Sequence, residues 1–187
     1  IVVPDDGASR RPERIAVKDN IETTSVAPTG ERIAIIARGD LFTVPAKDGV
    51  TRNLTRSSDA HDREVAWSRD GKQLVFVSDR TGEEELWLAT HDDAVAPRQL
   101  TRGSKTRYLD PRFSPDGSAI VMHGLRRGPP VTTHVFVANA DGTHLRRVTP
   151  DSGMQNFPRW AHDGKSIVMQ CSSAGLSAIH AARTSLT

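Results

Sequence analysis

The sequence predicts an all-β fold, a β-propeller of four four-stranded blades, and three observations predict it. A turn centred on glycine recurs at Gly30, Gly71, Gly117 and Gly164, at intervals of 41, 46 and 47 residues, a period that suits one propeller blade. Each turn leads into a nearly continuous run of Val, Ile and small residues. In three of the four copies that run is followed by an alternating strand, a second turn and a short Arg-rich strand, so one period holds four antiparallel strands.

The elements of one blade follow in order. Entering strands at residues 22–27, 63–68, 109–114 and 156–161 end in the turns APTG, SRDG, SPDG and AHDG. Asp or Thr before Gly supplies the residue pair that a tight hairpin with positive φ requires. The apolar runs RIAIIA (32–37), QLVFVS (73–78), AIVMH (119–123) and SIVMQ (166–170) suit strands covered on both faces, as between stacked blades. Third strands alternate at 40–45 (DLFTVP), 85–90 (ELWLAT), 134–139 (HVFVAN) and, less regularly, 177–182. Polar fourth strands are expected at 52–56 (RNLTR), 98–102 (RQLTR) and 146–150 (RRVTP), where arginine protects an outer edge from pairing with other chains.

The expected blades are therefore 22–56, 63–102, 109–150 and 156–182, in a single domain spanning 1–187. The last copy lacks a fourth strand. ERIAV at 13–17 is expected to supply it, closing the last blade and tying the termini together. Residues 1–12, with Pro4, Gly7 and Pro12, read as a lead-in. The first residue is Ile1 rather than Met, as in a processed, trimmed or partial product.

Composition narrows the function. At 187 residues the chain can bury a sizeable core without staples, and the lone Cys171 excludes an internal disulfide. A net charge of +2, dispersed along the chain, and only 5% aromatic residues give no nucleic-acid footprint. No apolar run is long enough for a membrane span and no secretory leader is legible. The sequence holds no G-x-S-x-G elbow, no HExxH and no cysteine pair, so no enzyme, metal or cofactor is expected. His61 with Asp62, and His91 with Asp92 and Asp93, could collect an ion at a loop but read as polar loop residues. Glu83, Glu84 and Glu85 read as a solvated hairpin tip, which Ser78, Asp79 and Arg80 would order by hydrogen bonding to backbone. Trp67, Phe113 and Trp160 share one slot, four residues before the turn glycine, with Val26 in the first copy; equal spacing reads as blade-to-blade packing.

In a propeller the first strand of each blade lines the axis. The candidates for channel lining or partner binding are Glu22, Thr23, Arg63, Glu64, Asp110, Arg112, Asn156 and Arg159, with Arg63, Glu64, Asp110 and Arg112 foremost. Their mixed charge suits a peptide or small polar ligand in water.

Residues 14–102, including IETTSVAPTGERIAIIARGDLFTVPAKDG and EVAWSRDGKQLVFVSDRTGEEELWLAT, resemble blades of the propeller region of tricorn-type proteases. From Arg107 onward, YLDPRFSPDGSAIVMHG, HVFVANADGTHLRRVT and FPRWAHDGKSIVMQ resemble PD40 (WD40-like) blades of TolB-type propellers. The change of character falls at 103–107, as in a recombined or engineered chimera of blades. The tricorn family's proteolytic residues lie outside its propellers and match nothing here. The resemblance implies a gate for peptides or a protein-binding channel mouth, and a cytoplasmic setting if tricorn-like or a periplasmic one if TolB-like.

Family propellers have six or seven blades, subtending about 51 to 60° each, whereas a closed ring of four needs about 90°. Two chains about a two-fold axis would give eight blades at about 45°, a smaller departure. The expectation is a homodimeric eight-bladed ring, each amino-terminal strand completing the partner's last blade. Its function would be that of a non-catalytic, self-assembling scaffold. The alternative is a peptide- or protein-binding module.

Overall fold

The computed structural model describes residues 20–57, 59–103, 106–126, 131–150, 153–173 and 176–183. They form four antiparallel sheets. The first contains β1 (Ile21–Val26), β2 (Arg32–Ala37), β3 (Asp40–Pro45) and β4 (Arg52–Asn53), in that spatial order. The second repeats it with β5 (Asp62–Trp67), β6 (Gln73–Ser78), β7 (Glu85–Thr90) and β8 (Arg98–Gln99). The third has β9 (Thr106–Phe113), β10 (Ala119–Arg126), β11 (Thr132–Asn139) and β12 (Arg146–Arg147). The fourth has three strands among the described residues, β13 (Met154–Trp160), β14 (Ser166–Ser173) and β15 (Leu176–Arg183). The segment 13–17, expected to complete this sheet, lies outside the described residues.

The strand boundaries depart from the expectation at the edges. The fourth strands are two residues long, because only Arg52–Asn53, Arg98–Gln99 and Arg146–Arg147 pair with the strand inside them. The third and fourth sheets carry longer ladders, with β10 and β11 in continuous register from Ala119↔Asn139 to Arg126↔Thr132.

In the turns, positive φ falls to the glycine and the residue before it contributes its side chain. In SRDG the amide of Gly71 donates to the Ser68 carbonyl at 3.0 Å, and only the glycine is left-handed, at φ +69°. This is a type I turn closed by a left-handed residue. Asp70 contributes its side chain: its carboxylate accepts from the Ser68 hydroxyl at 2.6 Å and the Lys72 amide at 3.1 Å. Asp116 repeats this with Ser114 at 2.5 Å and the Ser118 amide at 3.0 Å. These bonds favour the ionised acid and hold both carboxyls below the usual carboxylate range.

Three apolar clusters join the sheets in sequence. Ala34, Ile36 and Leu41 meet Leu74, Phe76 and Trp67 between the first and second. Val75, Val77 and Leu86 meet Tyr108, Ile120 and Met122 between the second and third. Val121, Val135 and Val137 meet Ile167 and Met169 between the third and fourth. Each fully buried Leu, Ile or Phe contributes about 1.5–3 kcal/mol. β6 and β10 are covered on both faces, as their apolar runs predict. β2 is not: Ile33 and Ile35 are only partly buried, and in β14 Val168 is exposed.

The shared aromatic slot lies in these joints. Trp67 is 7% exposed and its indole N–H donates to the Ser25 carbonyl of the preceding sheet at 2.8 Å. Trp160 makes the equivalent bond to the Arg112 carbonyl at 3.3 Å. Ser25 and Arg112 both stand five residues before their turn glycines, so the same indole-to-backbone bond is made in two joints.

The segment following β6 corrects two readings. Asp79 accepts the His61 amide at 2.7 Å, ahead of β5 and not in the tip, and Arg80 turns inward. It pairs with buried Asp62 at 2.8 Å and lies 4.6 Å over the Trp87 ring. Asp62 is thus a buried strand residue rather than a polar loop residue. Of the three glutamates only Glu83 is exposed. Glu84 pairs with Arg63 at 2.8 Å and with Arg107, and Glu85, starting β7 toward the joint, is buried against the Thr101 hydroxyl.

Two outcomes test this fold. Trp67→Ala is expected to cost about 3–5 kcal/mol and Trp67→Phe about 1 kcal/mol for the lost indole bond, read as a lower urea midpoint at unchanged slope. Because Asp116 has a depressed pKa in the folded state, its contribution is present above the ordinary carboxylate range and disappears as the pH falls through it. Asp116→Ala should therefore melt below the wild type at neutral pH and together with it in acid.

Candidate functional site

The first strand of every sheet is broken at one position. Register shifts fall between Ile21 and Thr23, Arg63 and Ala66, Leu109 and Arg112, and Asn156 and Arg159. Each is a β-bulge, which bends a strand and re-aims a side chain. In the last three the bulged residue is left-handed: Glu64 at φ 54°, Asp110 at φ 51° and Phe157 at φ 52°. All three stand seven residues before their turn glycine. A left-handed Phe is a genuine outlier for a bulky side chain.

The bulges bring their side chains to one depression of about 710 Å³ whose lining includes Thr23, Glu64, Asp110, Arg112, His123, Phe157 and Arg159. Asp110 is its hub. Its carboxylate takes Arg112 at 2.6 Å on one oxygen and Arg159 on the other, and its own amide donates to the Glu64 carboxylate. Burial pushes the Glu64 carboxyl up, opposed by that amide bond and reinforced by the Asp110 charge. Burial lowers the Arg112 pKa, with Asp110 pulling it back up.

His123 projects from β10 opposite the bulge, where pairing jumps from Val121↔Arg112 to His123↔Leu109. Its Nδ1 is buried without a partner, burial lowers its pKa, and its ring meets Phe157 edge to face with centroids 5.8 Å apart. Phe157 itself is 58% exposed.

The sequence-chosen residues separate into two groups. Thr23, Glu64, Asp110, Arg112 and Arg159 line the depression. Glu22 and Arg63 are engaged elsewhere: His61 Nε2 bridges to Glu22 at 3.0 Å, Arg63 donates to His61 Nδ1 at 2.9 Å, and Arg63 also holds Glu84. Asn156 is half-buried outside the depression. His123 and Phe157 were absent from the sequence selection. Phe157 was findable, since it occupies the same offset from its glycine as Glu64 and Asp110. His123 was not, because it lies on a second strand and is uncovered by a bulge in the first.

Among the described residues no three His, Cys, Asp or Glu side chains converge as a metal would need. With its acids and guanidiniums paired and an exposed aromatic ring beside them, the site can hold a polar partner that also presents an apolar group.

With this geometry in hand, comparison with known proteins is decisive about kinship. The family model for the dipeptidyl peptidase IV (DPP IV) N-terminal region matches residues 58–178. The chain belongs to that family. The match runs unbroken through 103–107, where the sequence changes in character. The Tol-Pal system protein TolB of Anaeromyxobacter dehalogenans is 31% identical over 162 residues, covering 83% of this chain and 36% of that protein. A putative tricorn protease homologue of Streptomyces coelicolor is 24% identical over 118 residues, covering 62% of this chain and 10% of that protein. In three dimensions a putative TolB from Agrobacterium tumefaciens superposes with a TM-score of 0.70 at 21% identity, covering 87% of this chain and 61% of that one. The sheets are therefore TolB-like and tricorn-like propeller blades. The chain spans about a third of the length of the TolB relatives it matches.

The pKa direction of Glu64 gives a test with a definite sign. A carboxyl raised in the folded state favours folding at low pH, and that contribution is lost as the pH rises past the ordinary carboxylate range. Glu64→Gln keeps an acceptor for the Asp110 amide, so it should melt above the wild type at neutral pH and level with it in acid. A variant less stable than the wild type at neutral pH and level with it in acid would show that the ionised carboxylate is what the site requires.

Proposed function

We propose that this chain is a non-enzymatic propeller module that binds a protein or peptide segment at its axial face. The observation that carries the reading is the bulge made in three successive blades, which gathers Glu64, Asp110 and Phe157 into one depression. Each left-handed residue costs about 1–3 kcal/mol, and such strain clusters at binding sites. Phe157 leaves an aromatic ring in water beside two guanidiniums, and aromatic residues and arginine are the side chains that most often anchor protein interfaces.

The partner is acidic and amphipathic in character: a carboxylate would compete with Asp110 for Arg159, the more exposed guanidinium, while an apolar side chain covers Phe157. The likeness to TolB supports a protein partner, and with it a periplasmic setting. A second reading, a scaffold that associates with copies of itself, draws on the uncovered faces of the first and fourth blades.

Affinity selection from a library of random decapeptides tests the binding reading. Selected peptides should bind the wild type, lose tenfold or more on Arg159→Glu, about 1.4 kcal/mol, and lose similarly on Phe157→Ser. Arg63→Glu should leave them unaffected, since Arg63 is held by Glu84 outside the depression. Peptides that bind an Arg112→Glu, Arg159→Glu double variant as well as the wild type would overturn it.

A further inference from the structure

The three inter-blade joints are made by equivalent positions, and the same positions are unmated at both ends of the array. Each later blade presents a rear face to its predecessor, built from the residues three and five positions past its turn glycine. These are Leu74 and Phe76, Ile120 and Met122, and Ile167 and Met169, all buried. The corresponding residues of the first blade are Ile33 and Ile35, and both are partly exposed. Phe42, paired with Ile35 as Trp87 is with Phe76, continues that face and is also partly exposed.

Each earlier blade presents a forward face to its successor. Leu41, Leu86 and Val135 occupy one equivalent place on it and are fully buried. Their counterpart in the fourth blade, paired with Gln170 as Leu86 is with Val77, is Ile179, which is 81% exposed. Val168, the counterpart of buried Val75 and Val121, is exposed beside it. Among the described residues one rear face and one forward face are thus left unmated, the two halves of a joint made three times within the chain. Among the described residues no apolar cluster joins the first blade to the fourth.

We propose that the occupant of both faces is a second copy of this chain, the Val168 and Ile179 face of one copy seating on the Ile33, Ile35 and Phe42 face of the other. A two-fold axis makes this joint twice and closes eight blades at about 45° each, whereas the free faces of one chain could meet only at about 90° per blade. This proposal rests on the second reading above and is independent of peptide binding.

Sedimentation equilibrium at tens of micromolar decides it. The wild type should have twice the 20.4 kDa mass of the chain. Ile35→Asp blocks the rear face and Ile179→Asp the forward face, so each variant alone should sediment as one copy. An equimolar mixture should return to two copies, because one intact face of each kind remains. Should Ile35→Asp lose the wild-type far-UV spectrum, Val26→Asp, at a 63% exposed position on the rim of the same face, replaces it. A wild type at 20.4 kDa overturns the proposal and leaves the faces to other segments or further blades. So does an open-ended series of larger species, a variant of unchanged mass, or a mixture that stays monomeric.

Discussion

The joint between neighbouring blades is the interaction on which the rest of this structure depends. A single twisted four-stranded sheet with apolar side chains on both faces has nowhere to bury them, and its stability comes from the sheet stacked on either side. The contrast between β6 and β2 shows this within one chain. Both have the same kind of sequence, QLVFVS and RIAIIA, yet Leu74 and Phe76 are sealed by the preceding blade while Ile33 and Ile35 are not. Position in the array, not local composition, decides the burial of an otherwise equivalent strand. The indole bonds of Trp67 and Trp160 add direction to a contact that apolar packing alone would leave free to slide.

The axial site is a by-product of the same joint. In two of the three joints an indole reaches the backbone of the preceding first strand, Trp67 at Ser25 and Trp160 at Arg112, close to where that strand bends. The bulges in their own strands turn Glu64, Asp110 and Phe157 into the shared depression. Neighbouring blades then supply each other's counter-charges. Asp110 of the third blade is held by Arg159 of the fourth and caps its amide on Glu64 of the second. These ion pairs are partly solvated, so each contributes little to stability, about 0–1 kcal/mol. Their effect is positional: they fix where two guanidiniums and two carboxylates stand around an uncovered aromatic ring.

Much of this was legible in the residues, because a repeat writes the same instruction several times. Four turn glycines set the period, and the offset of Trp67, Phe113 and Trp160 from them identified a packing slot. What escaped was whatever depends on departures from the ideal ladder. The residues alone name both Arg63 and Glu64; the bulge puts Glu64 in the depression and leaves Arg63 outside it with Glu84 and His61. His123 could not be found by periodicity, since it is uncovered by an irregularity in a different strand. The acidic triplet misled for a related reason: three adjacent glutamates look alike in sequence, but a strand begins at Glu85 and its alternation sends that carboxyl inward to Thr101. Two-residue fourth strands were also beyond reach, because RNLTR and RQLTR show pattern enough for five residues while only Arg52–Asn53 and Arg98–Gln99 pair with the strand inside them.

Joint and site are linked through geometry. Blades that meet at a small angle make a wide ring with a broad axial channel; blades that meet at a large angle make a narrow one. The bulged residues line a depression on the first strands, so in a closed ring the number of blades would set how far Asp110 and Phe157 stand from whatever faces them. In the proposed two-copy ring each cluster confronts its own twin across the two-fold axis, and two zwitterionic patches with an exposed ring apiece border one water-filled channel. In a longer array of different blades the same cluster would face residues of other sequence. The chemistry of the site is therefore written in the first strands, while in the proposed ring its distance from whatever faces it would be set by the apolar faces around Ile35 and Ile179.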